Sequence, residues 1–222
     1  MRDLAMIVEG ARAVDYSMLD PDVIFSLVDL FGVFVGALTG TLVARKHRYD
    51  ITGLWGLALV SGLGGGLIRD VCLQAGPPLA LTEPLYLPMV LLATVAGALF
   101  GGRFDRLRKT ILVADAIALG SFAVAGSLRT FDSGLSIWSA VLLGVVTAVG
   151  GGVIRDILTG DTPMVFRHGE LYALAALGAC IVVVFCRELG SPRSITVLCG
   201  IGAGVVLRLG SVRFGWTSWV PR

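Results

Sequence analysis

The sequence predicts an all-α polytopic membrane protein, with seven transmembrane helices arranged as an inverted three-plus-three repeat and one additional helix. Three observations support this fold class. Hydrophobic residues make up 55% of the 222 residues and charged residues only 15%, whereas about 25% of the residues in a soluble domain are charged. The apolar residues form long continuous runs, which gives a mean hydropathy of +0.85. One glycine-rich sequence occurs twice, at corresponding places in two similar halves.

An apolar run of about 18 residues or more can cross the hydrocarbon core of a bilayer as a helix. None of the runs alternates with a period of two, which disfavours transmembrane β-strands. A helix also satisfies all of its backbone hydrogen bonds within the segment, as lipid requires. We therefore predict one helix for each run. The seven runs are 23–44, 51–73, 85–102, 110–128, 136–159, 169–186 and 194–211.

The internal repeat has an offset of 86 residues, at which GLGGGLIRDVC (62–72) matches AVGGGVIRDIL (148–158). The same ungapped register also pairs Asp29 with Asp115. Repeat one is about 23–102 and repeat two about 110–186, within a single membrane domain of 1–222. Each repeat holds three helices, an odd number, so the second repeat enters the membrane in the opposite orientation. Many transport proteins use such inverted repeats and place their sites at the repeat interface.

Lys and Arg residues in short loops indicate which side faces the cytoplasm. With the first, third and fifth loops and the C-terminus inside, the cytoplasmic side holds Arg45, Lys46, Arg48, Arg103, Arg106, Arg108, Lys109, Arg167, Arg208, Arg213 and Arg222. The outer side then holds Arg2, Arg12, Arg129, Arg187 and Arg193. We therefore predict a cell (inner) membrane protein with its N-terminus outside and its C-terminus in the cytoplasm. The polar first 22 residues predict a short interfacial lead-in rather than a cleaved signal peptide.

Two glycine triplets, Gly64–Gly66 and Gly150–Gly152, lie in the middle of the second and fifth segments. Each glycine opposes a helix by about 1 kcal/mol relative to alanine. Glycines permit close helix packing, but three in succession fit one packed face poorly. We therefore favour a break or kink whose freed carbonyls line a water-filled path. Ser61 and Thr147, equivalent positions one turn before the triplets, are the best candidates for further pore-lining residues.

The glycine motifs also place four charged residues inside predicted helices: Arg69, Asp70, Arg155 and Asp156. Charges at this depth are expensive and indicate a functional site or buried pairs. Neighbouring residues on a helix do not face each other, so each charge needs a partner elsewhere. Depth in the membrane favours the pairs Asp29–Arg69 and Asp115–Arg155. A cross-repeat pair and a purely helix-locking role remain alternatives.

Residue patterns typical of enzymes are missing from the sequence. We find no nucleophile–base arrangement, phosphate-binding loop or metal-ligand spacing, so we predict no enzymatic activity, no cofactor, no structural metal and no nucleic-acid partner. Neither His47 nor His168 lies at a ligand spacing from a cysteine. The four cysteines lie in or beside apolar runs and are predicted to be unpaired: Cys72, Cys180, Cys186 and Cys199.

The doubled GGGxxRD motif, in the second and fifth of seven helices, resembles the prokaryotic TRIC (trimeric intracellular cation) channel family. That family is also labelled a putative glycine transporter family. The resemblance covers residues 23 to 211 and implies a homotrimer in membrane lipid, with an ion path in each protomer shaped by the glycine triplets. It implies conduction of monovalent cations, K⁺ above all and Na⁺ as well, which bind only transiently at pore residues. A secondary transporter of a small zwitterion such as glycine is the alternative, because the same inverted repeat would serve it.

The predicted orientation can be tested with single cysteines in a chain whose native cysteines are replaced. Cysteines next to Lys46 and Arg106 should react with a membrane-impermeant reagent only from the cytoplasm, and cysteines next to Glu83 only from outside. The reason is that basic loops are retained on the cytoplasmic side. The opposite labelling pattern would contradict the orientation.

Overall fold

The computed structural model of this chain describes residues 21–74, 76–104, 108–167 and 171–216. Residues 1–20 of the predicted lead-in, Arg106 and His168 lie outside these ranges. Within them the chain is all-helical, with no strand, as predicted. The helices are α1 (Pro21–Lys46), α2 (Ile51–Leu73), α3 (Leu79–Thr82), α4 (Tyr86–Phe104), α5 (Arg108–Asp132), α6 (Ile137–Thr159), α7 (Tyr172–Glu188) and α8 (Arg193–Phe214). A 3₁₀ turn, Met164–Phe166, follows α6.

Helices α2 and α6 begin and end in the same way at equivalent positions of the repeat. Asp50 Oδ1 accepts a hydrogen bond of 2.8 Å from the backbone N–H three residues on, and Ser136 Oγ accepts the equivalent bond at 3.3 Å. Such N-caps satisfy backbone donors that the first turn leaves unpaired. Each helix then ends at a left-handed residue, Gln74 (φ 51°) and Gly160 (φ 73°). The repeat therefore fixes the length of both helices.

Among the described residues, five helices are long and apolar enough to cross a membrane: α1, α2, α5, α6 and α8. Helix α4 contains a shorter apolar stretch, Tyr86–Gly101, and α7 has 17 residues. Both present large apolar side chains outward, among them Leu91 and Leu99 on α4 and Ile181 and Phe185 on α7. These faces suit contact with lipid.

Each repeat forms a three-helix group with its own core. Helix α1 packs against α2 and α4, and α5 packs against α6 and α7. The two groups meet chiefly where α2 packs against α6, and α8 packs against α5 and α7. Small buried residues such as Ala37 and Ala58 in the first group, and Ala123 and Ala176 in the second, let these backbones approach closely.

The glycine triplets lie at the crossing of α2 and α6. A Cβ atom on Gly65 would stand 2.1 Å from the carbonyl oxygen of Thr147, and one on Gly151 would stand 2.3 Å from that of Ser61. Both helices are helical throughout their triplets. Neither helix is interrupted at its triplet, and a kink there stays a prediction. The expectation that consecutive glycines fit packing poorly is wrong. The physical reason is that the backbones cross in direct contact, so more than one glycine of each triplet faces the partner helix.

Replacing Gly65 by alanine should destabilise the protein by about 1–3 kcal/mol, the usual penalty for overpacking. Gly56, on the same helix, has no atom within 4 Å of an added Cβ and provides the matched control. Gly56→Ala should change stability by less than about 1 kcal/mol. Thermal unfolding and size-exclusion profiles in detergent measure both. A Gly65→Ala protein of unchanged stability but altered current would instead favour a flexible kink at the triplet.

Candidate functional site

Two small cavities flank the crossing of α2 and α6. The Asp29 cavity has a volume of about 20 Å³ and is lined by Asp29, Arg69, Asp70, Tyr86 and neighbouring apolar residues. The Asp115 cavity has a volume of about 30 Å³ and is lined by Asp115, Arg155, Tyr172 and three hydroxyl residues, Thr39, Ser61 and Thr147. A water molecule needs about 10–15 Å³ of such space. The Asp29 cavity therefore has room for about one water molecule, and the Asp115 cavity has room for about two.

The internal repeat generates both cavities. Lining residues of one cavity correspond to lining residues of the other at the offset of 86. The equivalent pairs include Asp29 and Asp115, Gly66 and Gly152, Arg69 and Arg155, and Tyr86 and Tyr172. The predicted partners Asp29 and Arg69 thus share one cavity, and Asp115 and Arg155 share the other.

The close ion pairs nevertheless join neighbours in sequence. Arg69 Nε lies 2.8 Å from Asp70 Oδ1, and Arg155 Nη2 lies 2.7 Å from Asp156 Oδ1. The premise that charges on neighbouring residues cannot pair is therefore wrong, while the pairs Asp29–Arg69 and Asp115–Arg155 stay predictions. Neighbouring Cβ atoms do diverge, but a guanidinium group is long enough to fold back. Gly66, three residues before Arg69, leaves room for the guanidinium group, because a Cβ on Gly66 would stand 3.8 Å from Arg69 Nη2.

Asp70 and Asp156 also hold the segments that follow their helices. Asp70 Oδ2 accepts a hydrogen bond of 2.9 Å from the backbone of Leu79, and Asp156 Oδ2 accepts one of 3.0 Å from Met164. Each aspartate thereby satisfies several donors, as a buried carboxylate requires.

Further polar contacts cross between the repeats. Arg129 Nε, on α5, lies 3.2 Å from Asp70 Oδ1, and Arg155 Nη1 donates to Thr39 Oγ1 at 3.4 Å. From the sequence Arg129 counted only as a charge in a loop, and this role was missed. Its position directly after the predicted segment 110–128 was the available signal.

Asp29 accepts a hydrogen bond from the Tyr86 hydroxyl. The sequence assigns no role to Tyr86 or to its repeat equivalent, Tyr172. On the other side, the guanidinium of Arg208 stacks over the Tyr172 ring at 4.8 Å. The two tyrosines therefore line the two cavities at equivalent positions of the repeat and contact different partners.

Predicted lining residues divide into two groups. Ser61, Thr147, Gly65, Gly66, Gly151 and Gly152 line the Asp115 cavity. Gly64 and Gly150 instead pack against the opposite helix. A Cβ added to Gly64 would stand 3.4 Å from the Gly151 Cα, and one added to Gly150 would stand 3.2 Å from the Gly65 Cα.

The two predicted hydroxyl residues differ in their hydrogen bonds. The Thr147 hydroxyl donates to the Leu143 carbonyl of its own helix at 2.6 Å, whereas the buried Ser61 hydroxyl has no partner among the described residues. Ser61 is thus available to water or an ion in the cavity.

One contact joins the repeats at the loops that follow α1 and α6. His47 Nε2 lies 3.3 Å from Asp161 Oδ2. This hydrogen bond lowers the pKa of the Asp161 carboxyl below its usual range. The sequence argument considered His47 only as a metal ligand, and residues so far apart along the chain carry no pairing signal.

Comparisons with known proteins agree with this architecture. The family model described as "Glycine transporter" matches the chain twice, at residues 26–101 and 112–188. A Vibrio cholerae UPF0126 membrane protein is 35% identical over 208 residues, 93% of this chain and 84% of that protein. The Escherichia coli inner membrane protein YadS is 32% identical, over 84% of this chain and 91% of its own. The crystal structure of the TRIC trimeric intracellular cation channel orthologue from Rhodobacter sphaeroides superposes with a TM-score of 0.82 and 34% identity, covering 87% of this chain and all (100%) of that chain.

Removing Asp70 tests the pairing of neighbours. Asp70→Asn leaves the guanidinium of Arg69, 3% exposed, without its charge partner, and should cost about 3–5 kcal/mol. Asp132 pairs with Arg193 at 3.2 Å near the surface, so Asp132→Asn should cost at most about 1 kcal/mol. The double variant Arg69→Gln/Asp70→Asn should be milder than the summed single costs. Thermal unfolding in detergent measures these three variants and the single variant Arg69→Gln, and strict additivity would contradict direct pairing.

Proposed function

This chain belongs to the prokaryotic TRIC channel family, whose family model is described as "Glycine transporter", and from that premise we propose that it is a potassium-conducting channel. The pore runs through each protomer of a homotrimer. The observation that carries the proposal is the pair of polar cavities on either side of the α2–α6 crossing.

The two cavities are segments of one path. Gly62 and Gly66 line both of them, together with Phe122. Each cavity offers at least one carboxylate, at least one hydroxyl oxygen and space for water. Carboxylates and other oxygens are the groups that cation channels use. Adjacent aspartates balance the charge of Arg69 and Arg155, which reduces the repulsion those arginines would exert on a cation.

Discrimination between K⁺ and Na⁺ should be weak. Selective potassium filters replace the whole hydration shell with rings of oxygens. The helices here continue through the glycine triplets, so few backbone carbonyls are free, and water completes the shell. The Rhodobacter sphaeroides relative is described as trimeric and as a cation channel, which supports the trimer and the charge of the permeant ion.

The proposed topology has seven transmembrane helices in an inverted repeat. Two matches of one family model, at an offset close to 86 residues, support the repeat. The apolar outer faces of α4 and α7 support counting these shorter helices as spans beside the five longer ones. The inner membrane description of the Escherichia coli relative supports a bacterial cytoplasmic membrane, with the N-terminus outside and lipid around the trimer.

A secondary transporter of glycine is the second candidate, favoured by the description of the family model. Cavity size argues against it. A volume of about 30 Å³ accommodates about two water molecules, and a zwitterionic amino acid is larger. A carrier would require these cavities to widen substantially.

Electrical recording and tracer uptake on one preparation separate the two functions. Purified protein in planar bilayers should give unitary K⁺ currents above about 10⁵ ions per second, faster than a carrier limited by conformational closure. Na⁺ should carry a current of similar size. Liposomes from the same batch should take up no more labelled glycine than protein-free liposomes. Glycine uptake without unitary currents would contradict the channel.

A further inference from the structure

His47 and Asp161 join the ends of two helices that belong to different repeats. Helix α1 ends at Lys46, and the chain turns at Arg48, which has a φ of 58°. Helix α6 ends before Gly160, which has a φ of 73°. The two turns meet where His47 Nε2 lies 3.3 Å from Asp161 Oδ2, with the side chains 26% and 38% exposed. The pair therefore ties the repeats together at a place that water reaches.

The pair lies beyond one end of the Asp115 cavity. Thr39 on α1 and Arg155 on α6 line that cavity, and both helices continue from these residues towards the pair. Thr159 Oγ1 connects the two places, because it lies 3.2 Å from the Arg155 carbonyl oxygen and 3.5 Å from Asp161 Oδ2. Separating α1 from α6 to widen the cavity would pull His47 away from Asp161.

The internal repeat does not provide a second pair of this kind. At the offset of 86 residues, His47 corresponds to Ser133 and Asp161 corresponds to Ala75. The Ser133 hydroxyl donates instead to the Arg129 carbonyl of its own helix at 2.9 Å. A serine and an alanine cannot form a contact whose charge changes with pH. The His47–Asp161 pair is therefore specific to one face, which is cytoplasmic in the proposed orientation.

The charge of this contact depends on pH through the histidine. The hydrogen bond from His47 lowers the pKa of the Asp161 carboxyl below its usual range, and Lys46 and Arg167 also favour its charged form. The other charged or titratable side chains near the pair in sequence or space are Arg45, Lys46, Arg48, Tyr49, Asp50 and Arg167. Carboxyl groups titrate near pH 4, and lysine, tyrosine and arginine titrate near or above about pH 10. Histidine is thus the residue type here that changes charge near neutral pH.

We propose that His47 and Asp161 form a pH-operated latch between the two repeats, an inference that rests on the proposed channel function. When His47 is protonated, an ion pair holds α1 and α6 together beyond the Asp115 cavity, which then has room for about two water molecules. A K⁺ ion with its hydration shell needs more space than this. As pH rises through the titration range of histidine, the charge is lost and a weaker, neutral hydrogen bond is left. Helices α1 and α6 then separate and admit the hydrated ion.

Open probability at different pH values tests the latch. Single wild-type channels in a planar bilayer should open more when one chamber is changed from about pH 6 to about pH 8, the range in which histidine loses its charge. The increase should be about threefold, because a partly exposed ion pair changes an equilibrium by a factor of about two to five. The same change in the other chamber should have no effect.

Three variants identify the residues responsible. His47→Gln keeps a hydrogen-bonding side chain without a charge, and Asp161→Asn removes the negative partner. Both variants should open at both pH values as wild type does at the higher pH. His168→Gln replaces the other histidine of the chain and is the matched control, which should respond to pH as wild type does. Thermal unfolding in detergent reports the contact without conduction: His47→Gln should have a lower Tm than wild type at the lower pH and an equal one at the higher pH.

The outcomes separate the latch from the channel function. Wild-type currents that do not respond to pH, or that respond equally to both chambers, would overturn the latch and leave the channel standing. A His47→Gln channel that responds as wild type does would overturn it as well. No unitary current from wild type at either pH would overturn the channel. Equal unfolding temperatures of wild type and His47→Gln at the lower pH would overturn the charged contact itself.

Discussion

The backbone contact between α2 and α6 is the constraint on which the rest of this structure depends. Where an added Cβ on Gly65 would stand 2.1 Å from a carbonyl oxygen, no residue other than glycine fits without moving a helix. In lipid, where the hydrophobic effect does not drive helices together, such close packing is a main source of association. Each glycine destabilises its helix by about 1 kcal/mol relative to alanine. The close contact between the two backbones offsets this cost.

The same contact creates the polar cavities. The third glycine of each triplet, Gly66 and Gly152, leaves space that its neighbouring arginine partly occupies. The remaining space opens on either side of the crossing, between the three-helix groups. The GGGxxRD motif therefore provides the helix packing, the position of the ion pair and part of the wall of a cavity. Its second copy provides the same three features on the other side of the crossing.

Much of the fold could be predicted, because lipid imposes simple requirements on sequence. The apolar runs agree with the observed helices to within a few residues, since hydrocarbon thickness sets their length. Depth in the membrane placed Asp29 near Arg69, and both residues line one cavity. Side-chain pairing could not be predicted, because rules of helix spacing describe Cβ directions and a guanidinium extends far beyond its Cβ. The contact between His47 and Asp161 could not be found either, because the two residues lie 114 positions apart and their loops share no pattern.

The pairing of neighbours on one helix has a consequence for biogenesis. Insertion of a lone arginine or aspartate through the translocon costs up to about 2.5–3.5 kcal/mol, the value at the centre of a membrane helix. If Arg69 depended on a carboxylate from another helix, α2 would carry that cost until its partner arrived. With Arg69 and Asp70 in contact at 2.8 Å, the helix carries its own counter-charge into lipid. The same holds for α6, so either helix can leave the translocon as an electrically neutral unit and pack afterwards.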